Sequence, residues 1–135
     1  MPGNIARLFA QHRRTPERVL YRHFTGETWT DVTVEGVALA AGRWQAAFRR
    51  EGFVAGERIA VCVRNGVGWV AIDLAALGMG LVVVPLYVDD NPDNVAWCAA
   101  HAQARLLVVD NSRIAAGIAR LADGEASRKE TRRFQ

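Results

Sequence analysis

The residues of this chain whose spacing most directly implies chemistry are two glycines between apolar runs. The segment Gly66–Ala71 reads GVGWVA and fits G-x-G-x-x-A, the pattern with which dinucleotide-binding folds place a pyrophosphate at a helix N-terminus. In such folds the first glycine directly follows the strand, whereas here Arg64–Asn65 intervene. The ribose-binding acid expected about 20 residues later falls at Asp89–Asp90, beyond Pro85, which we expect to interrupt the strand. An NAD- or FAD-binding module is therefore kept as an alternative.

A second candidate is an acidic segment that resembles the beginning of a calcium loop. Asp89–Asn94 reads DDNPDN. A calcium loop of this type needs glycine at its sixth position and glutamate at its twelfth, but these positions hold Asn94 and Ala100. The sequence instead predicts a helix that is capped by Asn91 and has Pro92 as its first residue.

Other residue types used in catalysis are present without a recognisable arrangement. His12, His23 and His101 lie far apart and form no ligand pair at helical spacing. Cys62 and Cys98 form no C-x-x-C motif, and their apolar surroundings are typical of reduced thiols. The sequence contains neither a G-x-x-x-x-G-K-[ST] phosphate loop nor a G-x-S-x-G motif. We therefore predict no catalytic, cofactor-binding or metal-ligating residue.

Length, composition and charge limit the classes of protein to which this chain can belong. Half of the 135 residues are hydrophobic and 23% are charged, which predicts one globular domain rather than disorder. The net charge of +3 comes largely from scattered arginines. A nucleic acid is therefore not expected as a partner.

A long apolar window raises the question of a membrane span. Trp69–Val88 contains Asp73, Gly78, Gly80 and Pro85. A buried helix followed by a buried strand explains this window better, because a central aspartate costs about 2.5–3.5 kcal/mol to insert into a bilayer. The first residues lack the apolar stretch of a secretory signal. We expect a cytoplasmic protein, and peripheral attachment to a membrane is left open.

The order of the apolar patterns predicts the architecture. A first helix follows Asn4, two strands at Val19–Phe24 and Thr28–Val32 form a hairpin, and a long helix runs from its cap Thr33 to Gly52. Beyond it, strands at Arg58–Val63, Leu81–Val84 and Arg105–Val109 alternate with helices at Val67–Leu77, Pro92–His101 and Ser112–Ala122. The predicted fold class is α/β, with a mainly parallel, Rossmann-like sheet flanked by helices on both faces and a short N-terminal β-hairpin.

Several segments, in this order and spacing, carry a resemblance to a known family: Thr28–Glu35 (TWTDVTVE), Val54–Val61 (VAGERIAV), Asn65 with Trp69 and Asp73–Gly80, Val83–Tyr87 (VVPLY), Val95–Trp97 and Ala104–Val109 (ARLLVV). The run from Asn4 to Asp110 resembles the N-terminal part of the AMP-dependent synthetase/ligase (adenylate-forming) enzymes. The Pro-Leu-Tyr form is most similar to the long-chain fatty-acid CoA ligases. One departure is Glu57, where the family usually has aspartate.

The resemblance implies a partial N-terminal domain and a two-step reaction. A fatty acid attacks ATP to form an acyl adenylate, and coenzyme A, or a carrier-protein thiol, then takes the acyl group. ATP, magnesium and coenzyme A are the implied cofactors, yet the family's phosphate loop, adenine contacts and catalytic lysine come later than these residues. No catalytic residue is therefore carried over, and none of these cofactors is expected to bind well to the chain alone, which we expect to be inactive.

The resemblance also divides the chain and suggests its partners. Residues 1–122 are expected to form the N-terminal subdomain, and residues 123–135 a charged, flexible tail. Parallel sheets need cover on both faces, so we expect contact with the remainder of a synthetase, or self-association through an open sheet edge or an apolar patch. A non-catalytic interaction domain is the further alternative.

Overall fold

The structure is a computed structural model and describes residues 5–110 and 114–119. Its helices are α1 (Ile5–His12), α2 (Val34–Arg50), α3 (Val67–Gly78) and α4 (Pro92–His101), and residues 114–119 are also helical. Its strands are β1 (Val19–Phe24), β2 (Trp29–Thr33), β3 (Arg58–Cys62), β4 (Val82–Pro85) and β5 (Leu106–Val109). These positions confirm the predicted order of elements.

The centre of the fold is a three-stranded parallel sheet in the order β4-β3-β5. Residue Ile59 of β3 pairs with Val83 on one side and with Leu106 on the other. Four of the five β3 residues are buried, as expected for a central parallel strand that is covered on both faces. The predicted parallel pairing is confirmed.

The two faces of this sheet bury different clusters. Ile59 and Val61 of β3 join a large core with α2 and α3, whereas Cys62 lies in a smaller core on the opposite face with Val95 of α4 and Ile114. Successive strand residues point to opposite faces, which explains this division. Helices therefore cover both faces, as predicted.

The N-terminal hairpin is a separate two-stranded antiparallel sheet. Phe24 pairs with Trp29 across the turn, where Gly26 has a φ of 93°. None of the six β1 residues is buried. The hairpin is attached to the larger core through partly buried Leu20 and Val32.

Helix α2 shows how one polar residue can belong to an apolar helix face. Its N-cap Thr33 accepts a hydrogen bond from the Gly36 amide at 3.1 Å, and the chain leaves the helix at Gly52 with a φ of 70°. Gln45 is the exception in the apolar pattern of this helix. Its side-chain amide donates to the carbonyl oxygen of Ala75 in α3 at 3.2 Å, so Gln45 joins two helices.

Strand β4 begins and ends one residue later than predicted. The Leu81 amide donates to the Ala76 carbonyl at 2.9 Å, which completes the end of α3, and the first strand bond runs from the Val82 amide to Glu57. Pro85 does not interrupt the strand before its end, because it is the last strand residue and pairs with Val61. The predicted cap Asn4 and the tail 123–135 lie outside the described residues, as do parts of the predicted helix Ser112–Ala122.

Candidate functional site

The carboxyl ends of the three parallel strands meet at one edge of the sheet. The loop after β3 leads to α3 on one face, whereas the loop after β4 leads to α4 on the other. Ligands of open α/β sheets bind where neighbouring loops diverge in this way. The sheet topology alone therefore makes the carboxyl ends of these strands the candidate functional site.

A cavity of about 720 Å³ lies between the two diverging loops. Its walls are mainly apolar and aromatic, with a few polar groups, and consist of Val63, Arg64, Asn65, Trp69, Pro85, Leu86, Tyr87, Val88 and Asp89. The volume is in the range of small-molecule sites. The cavity can hold an apolar or planar group, with one cation close by.

Arg64 connects the loops that follow all three strands. Its backbone amide donates to the Asp110 carboxylate at 2.8 Å, beyond β5, and its guanidinium lies 3.6 Å from Asp89, beyond β4. Both side chains of the Arg64–Asp89 pair are largely exposed, so the pair contributes little stability. Both residues line the mouth of the cavity, which therefore carries one positive and one negative charge.

Cys62 lies beneath this edge and is not an activated nucleophile. The thiol is buried and donates to the Tyr87 carbonyl oxygen at 3.4 Å. Burial, followed by the negative charges of Asp110 and Asp90, raises the pKa of the Cys62 thiol. The thiol is therefore neutral near pH 7. Its hydrogen bond connects the end of β3 to the loop after β4.

The structure confirms that the acidic segment begins a helix. The Asn91 side chain accepts from the Asn94 amide at 2.8 Å, as an N-cap, and Pro92 is the first residue of α4. Asp90 accepts from the Asn91 amide and from the Asn94 side chain at 2.8 and 3.0 Å. Among the described residues, no group of three or more His, Cys, Asp or Glu could hold a metal ion.

The two glycines of the dinucleotide pattern do not form a tight turn at the end of a strand. Strand β3 ends at Cys62, and Gly66 is the N-cap of α3 with an extended φ of 166° that any residue can adopt. A Cβ atom at Gly66 or Gly68 would meet nothing within 4 Å. Neither glycine is required by its backbone conformation or by a neighbouring protein atom, and the tight turn that the dinucleotide pattern places directly after the strand is not formed here.

The remaining candidate residues stay apart in the described structure. His12 ends α1, His23 lies in the exposed strand β1, and His101 ends α4, where its ring stacks on Trp97 at a centroid distance of 4.7 Å. No helix in the described ranges is long and apolar enough to span a bilayer.

A polar cluster lies at the amino ends of β3 and β5, opposite the candidate site. It was not predicted from the sequence. Arg105, just before β5, donates to Glu57 at 2.7 Å and to the Gly52 carbonyl at 3.0 Å, with its guanidinium 4.2 Å from the centre of the Phe53 ring. The Val54 amide also donates to Glu57, at 2.8 Å. This cluster connects the end of α2 to the beginning of β3 and β5, and its role is structural.

The comparison with family models decides the assignment. A model of the AMP-binding enzymes matches residues 8–133. This chain belongs to the AMP-binding enzyme family.

Individual members of the family agree with this assignment. The long-chain-fatty-acid–CoA ligase FadD15 of Mycobacterium bovis is 29% identical over 131 residues, which cover 94% of this chain and 21% of that protein. The chain thus spans about a fifth of the length of the curated relatives it matches.

Two solved structures share the fold of this chain. VinN, solved in complex with 3-methylaspartate, is 25% identical with a TM-score of 0.75, over 90% of this chain and 32% of VinN. The N-terminal subdomain of NpsA from Klebsiella oxytoca is 19% identical with a TM-score of 0.69, over 80% of this chain and 28% of that one. The predicted fold, an N-terminal part of an adenylate-forming enzyme, is confirmed.

Proposed function

We propose that this chain is the N-terminal part of an acyl-CoA ligase that activates long-chain fatty acids. The observation that carries the proposal is the 29% identity with a long-chain-fatty-acid–CoA ligase along 94% of this chain. Since the matched region is 21% of that ligase, the activity is proposed for a longer polypeptide and not for these residues alone. A cytoplasmic location is part of the proposal.

The proposed reaction joins a fatty acid to coenzyme A at the expense of ATP. The carboxylate oxygen bonds to the α-phosphorus and pyrophosphate leaves; the thiol sulfur then bonds to the acyl carbon, loses its proton, and AMP leaves. Charge neutralisation at the phosphates is the main electrostatic demand, and Mg²⁺ would meet part of it.

The described residues do not fit a Mg²⁺–ATP site. The acids nearest the cavity already have partners in the fold: Asp89 faces Arg64, Asp110 accepts from the Arg64 amide, and Asp90 accepts at the beginning of α4. We therefore assign no reaction step to them. In this proposal the chain supplies scaffold and one wall of a binding groove.

The test is acyl-CoA formation by the longer polypeptide that the gene encodes. The enzyme is incubated with ATP, Mg²⁺, coenzyme A and, separately, palmitate, acetate or benzoate, and the thioesters are measured by mass spectrometry. We expect palmitoyl-CoA as the main product and none from a reaction without ATP. Thioester from benzoate or acetate alone would reject the long-chain assignment, and no thioester from any acid would reject the ligase.

A further inference from the structure

Another cavity lies between α1, β1 and α3. Its volume is about 280 Å³, near the lower end of the range for small-molecule sites. None of its described lining residues borders the cavity at the carboxyl ends of the strands. Its apolar lining residues are Ile5, Leu8, Phe9, Leu20, Val70 and Leu74. The space can therefore hold a short hydrocarbon chain.

The two helices contribute faces that meet at this cavity. Val70, Asp73 and Leu74 lie three or four positions apart on α3, so they share one face of that helix. The lining residues of α1, at positions 5, 8, 9 and 12, have the same spacing. The two helices pack against each other. Regular helix geometry therefore places Asp73 among the apolar walls.

Strand β1 completes the cavity with two consecutive residues, Leu20 and Tyr21. Consecutive residues of a regular strand point to opposite faces. Here Val19 pairs with Thr33, and Tyr21 pairs with the residue directly before Thr33, so Leu20 is a bulge without a partner on β2. A bulge redirects the side chains beside it, which allows both residues to border the same space.

Asp73 brings a carboxylate without a partner into this apolar space. Within the described part of the chain, its half-buried side chain makes no hydrogen bond or ion pair. Burial raises the pKa of the Asp73 carboxyl, because the charged form is partly removed from water. The other polar groups of the cavity are His12 of α1 and Tyr21 of β1, and neither bonds to Asp73. A cation that enters the cavity can therefore pair with a carboxylate that nothing else engages.

The walls restrict which cation fits. A metal ion needs several ligands, and the described residues contain no group of three or more His, Cys, Asp or Glu that could hold one. An ammonium group on a hydrocarbon chain matches both parts of the cavity, since the charge pairs with Asp73 while the chain contacts the apolar walls. Ile5 and Leu8 are 57% and 59% exposed, so this chain would also cover apolar surface that is now in contact with water.

We propose that the cavity between α1, β1 and α3 binds a small primary alkylammonium ion, with its nitrogen at the Asp73 carboxylate and its alkyl chain between the two helices. The proposal does not depend on the ligase activity, because it uses no residue assigned to that reaction. It gives the unpaired carboxylate of α3 a binding role.

Titration with hexylamine, added as its ammonium salt, tests the proposal. Hexanol and hexanoate have the same chain length and are the control probes, and binding to this chain and to the longer polypeptide is measured by saturation-transfer NMR at neutral pH. We expect hexylammonium to bind at least about tenfold more tightly than either control, because a hydrogen bond between two charged groups is the stronger interaction. Equal binding of hexanol would overturn the proposal. Binding to this chain but not to the longer polypeptide would also overturn it, since another part of the polypeptide would then fill the cavity.

Two substitutions locate the site. Asp73→Asn keeps the shape of the side chain and removes its charge, so it should weaken hexylammonium binding at least about tenfold and leave hexanol unchanged. Val70→Phe fills the cavity and should weaken the binding of both. Asp93→Asn makes the same change at an exposed carboxylate of α4 and should bind as the native chain does. Unchanged hexylammonium affinity in Asp73→Asn would overturn the proposal.

Urea unfolding separates a loss of binding from a loss of the fold. Asp73→Asn should not lower the urea midpoint, because the half-buried carboxylate has no partner to lose. Saturating hexylammonium should raise the midpoint of the native chain and leave that of Asp73→Asn unchanged. An equal rise in both proteins would show that the amine binds elsewhere and would overturn the proposal.

Discussion

At the scale of single residues, the Glu57 carboxylate accepts hydrogen bonds from both a backbone amide and a guanidinium. The hydrogen bond from the Val54 amide, together with the hydrogen bond and positive charge of Arg105, holds the pKa of Glu57 below its ordinary value of 4.5, against a smaller effect of burial. A carboxyl whose pKa is lowered by folding stabilises the fold above its unfolded pKa. This stabilisation is lost as the pH falls through the folded pKa.

This linkage predicts a pH-dependent difference between the native chain and Glu57→Gln. At pH 7 the variant should have the lower free energy of unfolding, since Gln does not pair with Arg105 as a charged group. The difference should begin to shrink as the pH falls below 4.5, where the carboxyl of the unfolded chain takes up a proton, and should be lost once the pH is below the lower pKa of the folded chain. Urea unfolding at several pH values measures it. Glu27→Gln, at the exposed hairpin turn, is the control and should have the same pH profile of unfolding free energy as the native chain. If the profile of Glu57→Gln runs parallel to the native profile at all pH values, the expectation is wrong.

The two cysteines should differ in reactivity. Cys62 is buried with a raised pKa, whereas Cys98 is partly exposed on α4. Because the thiolate is the reactive form, iodoacetamide at pH 8 should label Cys98 well before Cys62. Mass spectrometry of the folded chain, with the Cys98→Ser variant as control, measures both rates. Labelling of Cys62 at the rate of the unfolded chain would show that the thiol is not covered.

Individual site residues were only partly predictable from the sequence. The capping roles of Thr33 and Asn91 were predicted, since a cap depends on residues three positions apart. The roles of Arg64 and Arg105 were not, because each contacts residues more than 40 positions away in the chain. Local patterns carry no information about such pairs.

At the scale of elements, glycines at two positions have opposite roles. Gly80 connects α3 to β4 with a φ of 73°, and a Cβ there would lie 3.1 Å from the Ala55 side chain. Gly42 lies inside α2 on an exposed turn of helix, with nothing within 4 Å of a Cβ. Of these two positions, only position 80 requires glycine, because its φ is positive.

Alanine substitutions at these glycines should therefore shift stability in opposite directions. Gly42→Ala should stabilise the fold by about 0.5–1 kcal/mol, since alanine is the better helix former. Gly80→Ala should destabilise it by about 1–2 kcal/mol, because alanine is strained at positive φ. Urea unfolding of both variants under the same conditions measures the change. A stabilising Gly80→Ala would show that the turn is not held at positive φ.

The sequence predicted whether each segment is a helix or a strand more accurately than it predicted where each one begins and ends. The parallel sheet could be predicted because β3 is apolar at nearly every position, and α4 was predicted at its observed bounds because Asn91 and Pro92 mark its start. The start of β4 could not be predicted, because it depends on the Leu81 amide donating to a carbonyl of α3 rather than to β3. The strand order likewise depends on contacts between distant segments.

At the scale of the whole molecule, several large apolar side chains are exposed. Tyr87 is 85% exposed, Trp29 67% and Trp97 64%, on the cavity edge, the hairpin and α4 respectively. Side chains this large and this exposed leave apolar area in contact with water. The isolated chain is therefore expected to present apolar surface to solvent.

A hydrophobic dye tests this expectation. The chain alone should bind 8-anilinonaphthalene-1-sulfonate or form dimers, and the longer polypeptide should bind less dye per mole because its further residues cover these side chains. Fluorescence titration with light scattering measures both. A compact monomer that binds no dye would favour a stand-alone domain, such as the non-catalytic interaction module.

The measurement that tests the account most directly is ATP–pyrophosphate exchange with a long-chain fatty acid. It reports acyl adenylate formation before any thiol is involved, and it is applied to this chain alone and to the longer polypeptide at equal concentration. We expect fatty-acid-dependent exchange by the longer polypeptide and none by the chain alone, because the described residues provide scaffold and no phosphate site. Exchange catalysed by the chain alone, or no exchange by the longer polypeptide, would contradict this account.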